Sequence, residues 1–314
     1  MFKQNQNQAS VLQDSVLATL SAFDQKYAQG KWGVAVSGGV DSMVLLEGMR
    51  RASLSFIVCH LDHGWRDSSA ADAAWLEKWC LENKIPFRLK QVAGMKKSED
   101  SARQARLSFY EEVIKQEELS GVWLAQHADD VIETFFLQLL RGAGPEGLAS
   151  IQPVSQVHGI SLYRPLLNYS KEQLLQLAND WELDWREDET NQSMEFARNR
   201  VRHLLLPVLR KCSEREFTPL LTRTIQLLSA ENDDWLARLP NSYPEKIPVS
   251  ELKDETVAWQ RRYLKGWLQS LRVKDISFED VEAVRGLLSG GSPAKVNLSE
   301  ARYARRTAGY LYLD

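Results

Sequence analysis

The sequence contains few cysteines and no long apolar run. Its three cysteines, Cys59, Cys80 and Cys212, are scattered over 314 residues and form no CxxC pair, so they indicate neither a disulfide framework nor a metal cluster. No apolar run reaches the ~20 residues that a membrane-spanning helix needs, and the polar N-terminus lacks the apolar core of a signal peptide. We therefore expect a cytoplasmic protein without a membrane partner.

Charge of one sign is not in excess either. Against 39 Lys and Arg there are 42 Asp and Glu, a formal net charge of −3, which excludes binding of nucleic acid through bulk charge alone. A local basic patch would still be enough for such binding. Residues 198–223 form a patch of this kind, with seven basic and two acidic residues. Its basic members are Arg198, Arg200, Arg202, Arg210, Lys211, Arg215 and Arg223.

The pattern of the first half predicts an α/β fold. At roughly 150 residues per domain, 314 residues correspond to two domains or to one large domain with an appendage. Short apolar segments alternate with amphipathic ones, which is typical of a doubly wound parallel sheet. We predict strands at 32–36, 55–59, 87–92, 121–125 and 160–163 and helices at 42–51, 70–83, 100–118, 129–140, 170–178 and 196–211. This domain would occupy residues 1–214.

The remaining residues, 215–314, predict a helical linker and a small α+β domain. Helical patterns lie near 218–238, 251–270 and 278–288, and two short alternating segments at 295–298 and 310–313 predict strands. Three arginines in the last segment are candidates for contacts with nucleic acid, and the alternative is ordinary surface charge. These are Arg302, Arg305 and Arg306.

A glycine-rich loop joins the first predicted strand to its helix. It consists of Ser37, Gly38, Gly39, Val40, Asp41 and Ser42. The glycines permit a tight turn, and the helix N-terminus adds free N–H groups, so the loop suits a polyphosphate. It is neither a Walker A loop nor a dinucleotide fingerprint. Asp41 would repel phosphate unless Mg²⁺ or a cationic group lies between them; the alternative is a plain turn capped by Asp41.

A second polar segment, Gln126–Thr134, follows the fourth predicted strand and should share the rim of the sheet with the loop. Asp130 and Glu133 lie three positions apart on one helix face, where their carboxylates repel each other unless a cation lies between them. A metal ion or a ligand ammonium would supply that cation. The alternative is a solvated acidic first turn favoured by the helix dipole. His127 is either a functional or a structural histidine.

Several motifs together carry a resemblance to a known family. The loop Ser37–Ser42 resembles the PP-loop of the N-type ATP pyrophosphatases, a Rossmann-like class that cleaves ATP between its α- and β-phosphates. With the further motifs, the chain resembles tRNA(Ile)-lysidine synthetase over residues 30–210, in a short form with one C-terminal domain. Those motifs are HLDHGWR at His60–Arg66, SARQARLSFY at Ser101–Tyr110, AQHADDVIETFFLQLLRGAGPEGL at Ala125–Leu148, YRPLL at Tyr163–Leu167 and EDETN…RNRVRHLLLP at Glu187–Pro207.

The resemblance implies an activity. The family attaches L-lysine to C2 of the wobble cytidine in an isoleucine tRNA with a CAU anticodon, through an adenylated tRNA, and releases pyrophosphate and AMP. ATP and Mg²⁺ would be required, and no protein-bound metal site is predicted beyond the Mg²⁺ of ATP. The C-terminal domain, with its arginines, would help to hold the tRNA.

The resemblance also implies roles for particular residues. The PP-loop would bind the phosphates of ATP, and His60 would lie near the adenine. Asp130 and Glu133 would hold the lysine substrate. Arg106 and Arg202 match family arginines near the reacting phosphate and base. The alternative for Arg106, and likewise for Arg103 and Arg164, is an ordinary surface ion pair.

The motifs argue against three other functions. A tRNA thiolase on the same fold would need paired or catalytic cysteines or an iron–sulfur cluster, and this chain has no CxxC. A nucleotide sensor would need the PP-loop but not a second-substrate site. A tRNA-binding protein without catalysis would not need the PP-loop. The sequence leaves the oligomeric state open, with a homodimer as one option.

Overall fold

The computed structural model describes residues 2–27, 30–65, 69–92, 94, 98–186, 193–289, 294–298 and 302–314, of which residues 2–9 and 99 are described by their backbone. The strands are β1 (Lys31–Ala35), β2 (Phe56–Asp62), β3 (Phe87–Gln91), β4 (Leu119–Trp123), β5 (Val154–Val157), β6 (Ile160–Tyr163), β7 (Lys246–Pro248), β8 (Lys295–Asn297), β9 (Tyr303–Thr307) and β10 (Tyr310–Leu313). The longer helices are α1 (Phe2–Tyr27), α2 (Val40–Arg51), α3 (Ser69–Glu82), α4 (Glu99–Glu117), α5 (Ala128–Leu140), α7 (Lys171–Asp180), α10 (Phe217–Arg238), α12 (Val257–Ser270) and α13 (Phe278–Gly286). Shorter ones are α6 (Pro145–Leu148), α8 (Ala197–Arg200), a π-helical turn (Val201–Leu205), α9 (Leu206–Cys212), α11 (Val249–Leu252) and a 3₁₀ turn (Leu287–Ser289).

The first sheet has six strands in the order β3-β2-β1-β4-β6-β5. The pairs β1–β2, β2–β3, β1–β4 and β4–β6 are parallel, and β5 is an antiparallel edge strand beside β6. The strand order reverses its direction between β1 and β4. Ligands of such sheets bind in the crevice at this reversal, beyond the carboxyl ends of the strands. The predicted fold class is confirmed, with one antiparallel strand added.

Helices cover both faces of this sheet. The α1–α2–α7 layer packs on one face, where Trp32, Val34, Met43, Leu46 and Leu177 are fully buried. On the other face α4 contributes Phe109 and Val113 to a core shared with Ile57 and Val122. Each such side chain contributes about 1.5–3 kcal/mol through burial, so the two layers hold the rim between β1 and β4 in place.

The chain divides into two compact units, Met1–Ser229 and Ala230–Asp314. The second contains an antiparallel sheet in the order β7-β10-β9-β8. One face of this sheet packs on α12 and α13 through an apolar core that includes Ile247, Trp267, Val284 and Leu311. The predicted boundary between residues 214 and 215 stays a prediction.

Several elements were not predicted from the sequence, among them the inner strand β9 of the second sheet. The helix α1 begins with a polar segment, which gave no helical pattern in the sequence. Its Val16 and Leu20, four positions apart on one face, are fully buried. The strands β5 and β7 have only four and three residues, too few for a clear alternation. Among the described residues, no helix combines the length and apolar character needed to cross a membrane.

Candidate active site

The glycine-rich loop has a defined conformation between β1 and α2. Gly38 has a φ of +88°, a backbone conformation that L-residues with a side chain rarely adopt. The buried Ser42 hydroxyl donates to Gly39 O (2.8 Å) and accepts from Ser37 N (3.2 Å). Arg186 N donates to Gly38 O (2.9 Å) from a later segment of the chain. Ser42 therefore shapes the loop, and its hydroxyl is engaged by the backbone.

His60 supports the start of this loop. It lies on β2, is buried, and its Nδ1 donates to Val36 O at 2.7 Å. Its ring stacks on Phe87 of β3. The structure therefore shows His60 holding the end of β1, and its predicted place near an adenine stays a prediction.

The N-terminus of α5 meets that of α2 across the reversal of the sheet. His127, the N-cap of α5, places Nε2 3.6 Å from Asp41 Oδ2 and 3.5 Å from Asp130 Oδ2. Its Nδ1 is 3.6 Å from Asp129 Oδ2. Burial alone would lower the pKa of His127, but the charges of Asp130, Asp129 and Asp41 outweigh it and raise the pKa to about 10. His127 is thus an imidazolium at neutral pH.

Lys171 completes this cluster from α7. Its Nζ lies 2.8 Å from both carboxylate oxygens of Asp41, and its backbone N donates to Asp129 Oδ2 (2.8 Å). Burial raises the pKa of Asp41, yet His127 and Lys171 together hold it below its ordinary value. The same balance, with Arg210 as a further cation, lowers the pKa of Asp129 to about 2. The cationic group that the sequence required beside Asp41 is therefore part of the protein.

Glu133 is held by two arginines. It is 1% exposed; Arg202 Nε donates to Oε1 at 2.6 Å and Arg198 Nε donates to Oε2 at 2.8 Å. Arg198 also donates to Asp130 Oδ1 (3.2 Å). The cation expected between Asp130 and Glu133 is thus supplied by guanidinium groups in this structure. We call Asp130, Glu133, Arg198 and Arg202 the carboxylate–arginine cluster.

These contacts neutralise part of the positive charge of the predicted basic patch. Arg198 and Arg202 belong to the carboxylate–arginine cluster, and Arg210 donates to Asp129 Oδ1 at 2.7 Å. The patch therefore serves partly to neutralise the start of α5. The π-helical turn Val201–Leu205 contains Arg202. Pro207, two residues beyond this turn, has no N–H for a helical hydrogen bond to residue 203.

An open cavity borders Lys171. It has a volume of about 1160 Å³ and is lined by Asp129, Lys171 and Arg210 on one side and by residues 213–226 on the other. Acidic and basic groups alternate along its lining, so it offers no field of one sign. It leaves room for part of a large substrate next to the PP-loop.

Other predicted site residues lie outside this cluster. Arg106 is exposed on α4, where its Nε donates to Ala102 O (3.2 Å). The pKa of His63, which follows β2, is lowered first by the burial of His63 and next by the positive charge of Arg106. Arg164 is buried and donates to Gln152 O, and burial together with Arg103 lowers its pKa to about 10. Arg164, directly after β6, therefore holds the backbone of the segment that precedes β5. Arg66, Asp188 and Asn191 lie outside the described residues.

The three C-terminal arginines have partners of their own. Arg302 Nη1 donates to Leu271 O (2.6 Å), and Arg306 Nη1 donates to Leu287 O (3.0 Å). Arg305 pairs with Asp314. Two of the three thus bind carbonyls at helix ends, and their predicted contact with tRNA stays a prediction.

For two residues of the site, the sequence did not predict the contacts that they make there. Arg198 lies four positions before Arg202, a spacing that matches the carboxylates of Asp130 and Glu133 and could have indicated the pairing. Lys171 occupies the first position of α7, where the helix dipole disfavours a cation. That local conflict was the one signal for Lys171, and the sequence offered no way to connect it with Asp41.

A mostly parallel sheet with an SGGVDS loop at its reversal point defines a PP-loop protein, the class in which this loop faces a nucleotide crevice. The chain belongs to the tRNA(Ile)-lysidine synthase family of these proteins. A family model described as the PP-loop domain matches residues 12–209, and one described as the TilS substrate binding domain matches residues 248–312.

Curated relatives agree with this membership. The bifunctional protein TilS/HprT of Listeria monocytogenes is 30% identical, over 90% of this chain and 47% of its own length. The tRNA(Ile)-lysidine synthases of Thermosynechococcus vestitus and Solibacter usitatus are 29% and 33% identical, each over 82% of this chain and over 78% and 61% of their lengths. The chain spans about half the length of the Listeria relative.

A solved structure shares the fold. The U34-tRNA thiolase NcsA from Methanococcus maripaludis, with its [4Fe-4S] cluster, has a TM-score of 0.57 and is 14% identical, over 75% of this chain and 82% of that one. At this identity the likeness concerns the fold alone.

The charge of His127 leads to a pH-dependent stability. Its pKa is 6.5 when unfolded and about 10 when folded, so its stabilising contribution is complete below pH 6.5 and is lost as the pH rises towards 10. We expect the free energy of unfolding to fall by a few kcal/mol over this range, measured by urea denaturation. His127→Gln should flatten this part of the profile, whereas the control His158→Gln, on an exposed turn, should not. An unchanged slope in His127→Gln would contradict the assigned charge.

Proposed function

We propose that this protein ligates L-lysine to C2 of the wobble cytidine of a CAU-anticodon isoleucine tRNA, using ATP. The observation that carries the proposal is the meeting of the PP-loop with the carboxylate–arginine cluster at one rim of the sheet, in a chain that matches both family models in order. A phosphate site and an amino-acid site next to each other are what this two-step reaction needs.

In the first step the loop binds the phosphates of ATP. Backbone N–H groups of the loop and the N-terminus of α2 are donors for the phosphate oxygens. Lys171 Nζ, which lies 2.8 Å from the Asp41 carboxylate, adds a positive charge beside the loop. The cytosine O2 attacks the α-phosphorus, the bond to the oxygen that bridges to the β-phosphate breaks, and pyrophosphate leaves. This produces the adenylated tRNA.

The donor set suits Mg²⁺ that arrives with ATP. Within the described residues, no group of three or more His, Cys, Asp or Glu side chains could hold a metal ion by itself. Mg²⁺ commonly uses one or two carboxylates together with substrate phosphates, and Asp41, which stays ionised, is such a carboxylate at the loop. When bound, Mg²⁺ would neutralise charge on the phosphate oxygens.

In the second step the lysine ε-amine attacks C2. The bond between C2 and O2 breaks, AMP leaves with that oxygen, and the amine loses a proton to become a nucleophile. A carboxylate of the site takes this proton. The pKa values of Asp41 and of Asp129 both lie below their ordinary value, so both are weak bases and neither is favoured for this role.

The carboxylate–arginine cluster fits the zwitterionic end of an amino acid. Asp130 and Glu133 can accept from its α-ammonium group, and Arg198 and Arg202 can donate to its α-carboxylate. In the structure these carboxylates and guanidinium groups are paired with one another at 2.6–3.2 Å. The substrate would then exchange an internal ion pair for its own charges, so the net charge of the site would not change.

Transfer of labelled lysine tests the proposal directly. The protein is incubated with ATP, labelled L-lysine and a transcript of the CAU-anticodon isoleucine tRNA. We expect label in the RNA, and loss of both label and pyrophosphate release in Asp41→Asn. Cadaverine, which lacks the α-carboxylate, and 6-aminohexanoate, which lacks the α-amine, should be poor substrates. A folded protein that transfers no lysine would refute the proposal.

The cysteines argue against sulfur transfer. Burial raises the pKa of Cys59 and of Cys80 to about 12, so neither is a thiolate at neutral pH. Cys212 is exposed at the end of α9 and has no second cysteine near it in sequence. None of the three therefore has the setting of a sulfur-transferring nucleophile.

A further inference from the structure

The second sheet has an inner and an outer face of different composition. Along β9 and β10 the buried residues Ala304 and Leu311 alternate with Tyr303, Arg305, Tyr310 and Tyr312, which do not belong to the apolar core. The edge strands repeat this pattern. Their outward residues are Lys246, Lys295 and Asn297, all exposed, and their inward residues are Ile247 and Val296.

The register aligns the outer residues in rows. Tyr312 pairs with Lys246 on one side and with Arg305 on the other, and Arg305 pairs with Lys295. One row therefore crosses all four strands with three cations and one aromatic ring, at about 4.8 Å between strands. Tyr310 and Tyr303 lie on the same face beside this row.

Cations already lie on two of these rings. Lys295 Nζ is 3.4 Å from the centroid of Tyr303, and Lys246 Nζ is 5.7 Å from that of Tyr312. Tyr310 is 46% exposed. Asp314 pairs with Arg305. Within the described residues, the outward positions of the four strands therefore present three tyrosine rings and three cations.

We propose that this outer face, Lys246, Lys295, Tyr303, Arg305, Tyr310 and Tyr312, binds unpaired nucleotides of the RNA substrate. Sheet faces that carry exposed aromatic rings among cations bind single-stranded RNA by stacking bases on the rings and pairing the backbone with the cations. A base–ring stack is stronger than an exposed cation–π contact, so a base displaces the lysine and the freed ammonium reaches the next phosphate.

This proposal includes one of the three predicted arginines. Arg302 and Arg306 bind carbonyls with their guanidinium groups, whereas Arg305 belongs to the outer row. The proposal rests on the proposed function for the identity of the RNA. Binding of unpaired RNA to the face can be measured whether or not lysine is transferred.

The test measures binding of the tRNA transcript to the full-length protein over a range of salt concentrations. The double variant Tyr310→Thr/Tyr312→Thr keeps residues that favour strands and should raise Kd about tenfold, with an unchanged salt slope. Tyr310→Phe/Tyr312→Phe keeps the rings and should bind as the wild type does. Phe278→Ala removes an exposed ring elsewhere in this unit and serves as the control.

Variants of the cations should instead change the salt dependence of binding. Lys246→Gln/Lys295→Gln should reduce the slope of log K against log salt concentration by about 1.4, at roughly 0.7 for each contact with a single strand. Lys253→Gln, an exposed lysine off the face, should leave the slope unchanged. Wild-type affinity in the threonine variant, or an unchanged slope in the glutamine variant, would overturn the proposal. Lysine transfer by the wild type, measured in parallel, reports separately on the proposed function.

Discussion

Replacing Glu133 by Ala is expected to lower the free energy of unfolding by about 3 kcal/mol and to abolish lysine transfer. The variant removes the carboxylate that Arg198 and Arg202 share in a mostly buried site and leaves Arg198 with Asp130 alone. Breaking a buried ion pair on one side costs roughly 3–5 kcal/mol. The arginines are 28% and 33% exposed, so water compensates part of the loss and the lower value applies. Urea denaturation measures the stability.

Glu47 provides a matched control for this variant. It is also almost fully buried, and it holds Arg50 and Arg51 within α2. Glu47→Ala should lose stability as Glu133→Ala does, yet still transfer lysine when it is assayed below its unfolding temperature. In Glu133→Ala, ATP binding should persist. Loss of ATP binding and of lysine use to the same degree would mean that the lysine site lies elsewhere.

Replacing Lys171 by Met is expected to slow pyrophosphate release about 100-fold. The ammonium that lies on Asp41 would be missing, so an unscreened carboxylate would face the phosphates of ATP; a factor of 100 corresponds to about 2.7 kcal/mol of lost electrostatic stabilisation. Lys171→Arg retains the charge and should restore most of the rate. The rate is measured with saturating lysine and tRNA over a range of ATP concentrations.

An exposed lysine serves as the control for this second variant. Lys78→Met, on α3, removes a lysine that is 76% exposed and should leave pyrophosphate release unchanged. A wild-type rate in Lys171→Met would show that Lys171 only neutralises Asp41 in the absence of substrate. A rate in Lys171→Arg as low as in Lys171→Met would also argue against a role for its charge.

Much of the catalytic unit could be predicted from short-range patterns. The strand Ile160–Tyr163 was predicted to the residue, and the helix predicted from residue 170 begins at Lys171, after a capping box formed by Ser170 and Gln173. Such features depend on residues that are close together in the sequence, so the sequence alone can predict them. The strand β4 lies at Leu119–Trp123 and not at the predicted 121–125, and its pairing with β1 contains a register irregularity between Lys31 and Gly33.

The ionic contacts of the site could not be predicted in the same way. Lys171 and Asp41 are 130 positions apart, and Arg202 and Glu133 are 69 apart. The sequence called for a cation beside each acidic group, but it could not say whether the protein or a ligand supplies it. The basic patch likewise suggested free positive charge, whereas three of its arginines pair with the start of α5.

The sequence by itself determined the α/β class, the PP-loop and the resemblance to a lysidine-forming family, because these are carried by contiguous motifs and by local periodicity. Only the tertiary structure decided which charges neutralise each other, since Coulomb attraction depends on distances between side chains that the chain order does not contain. It also decided which face of the C-terminal sheet is exposed, because strand register, and not composition, places Tyr303, Tyr310 and Tyr312 together.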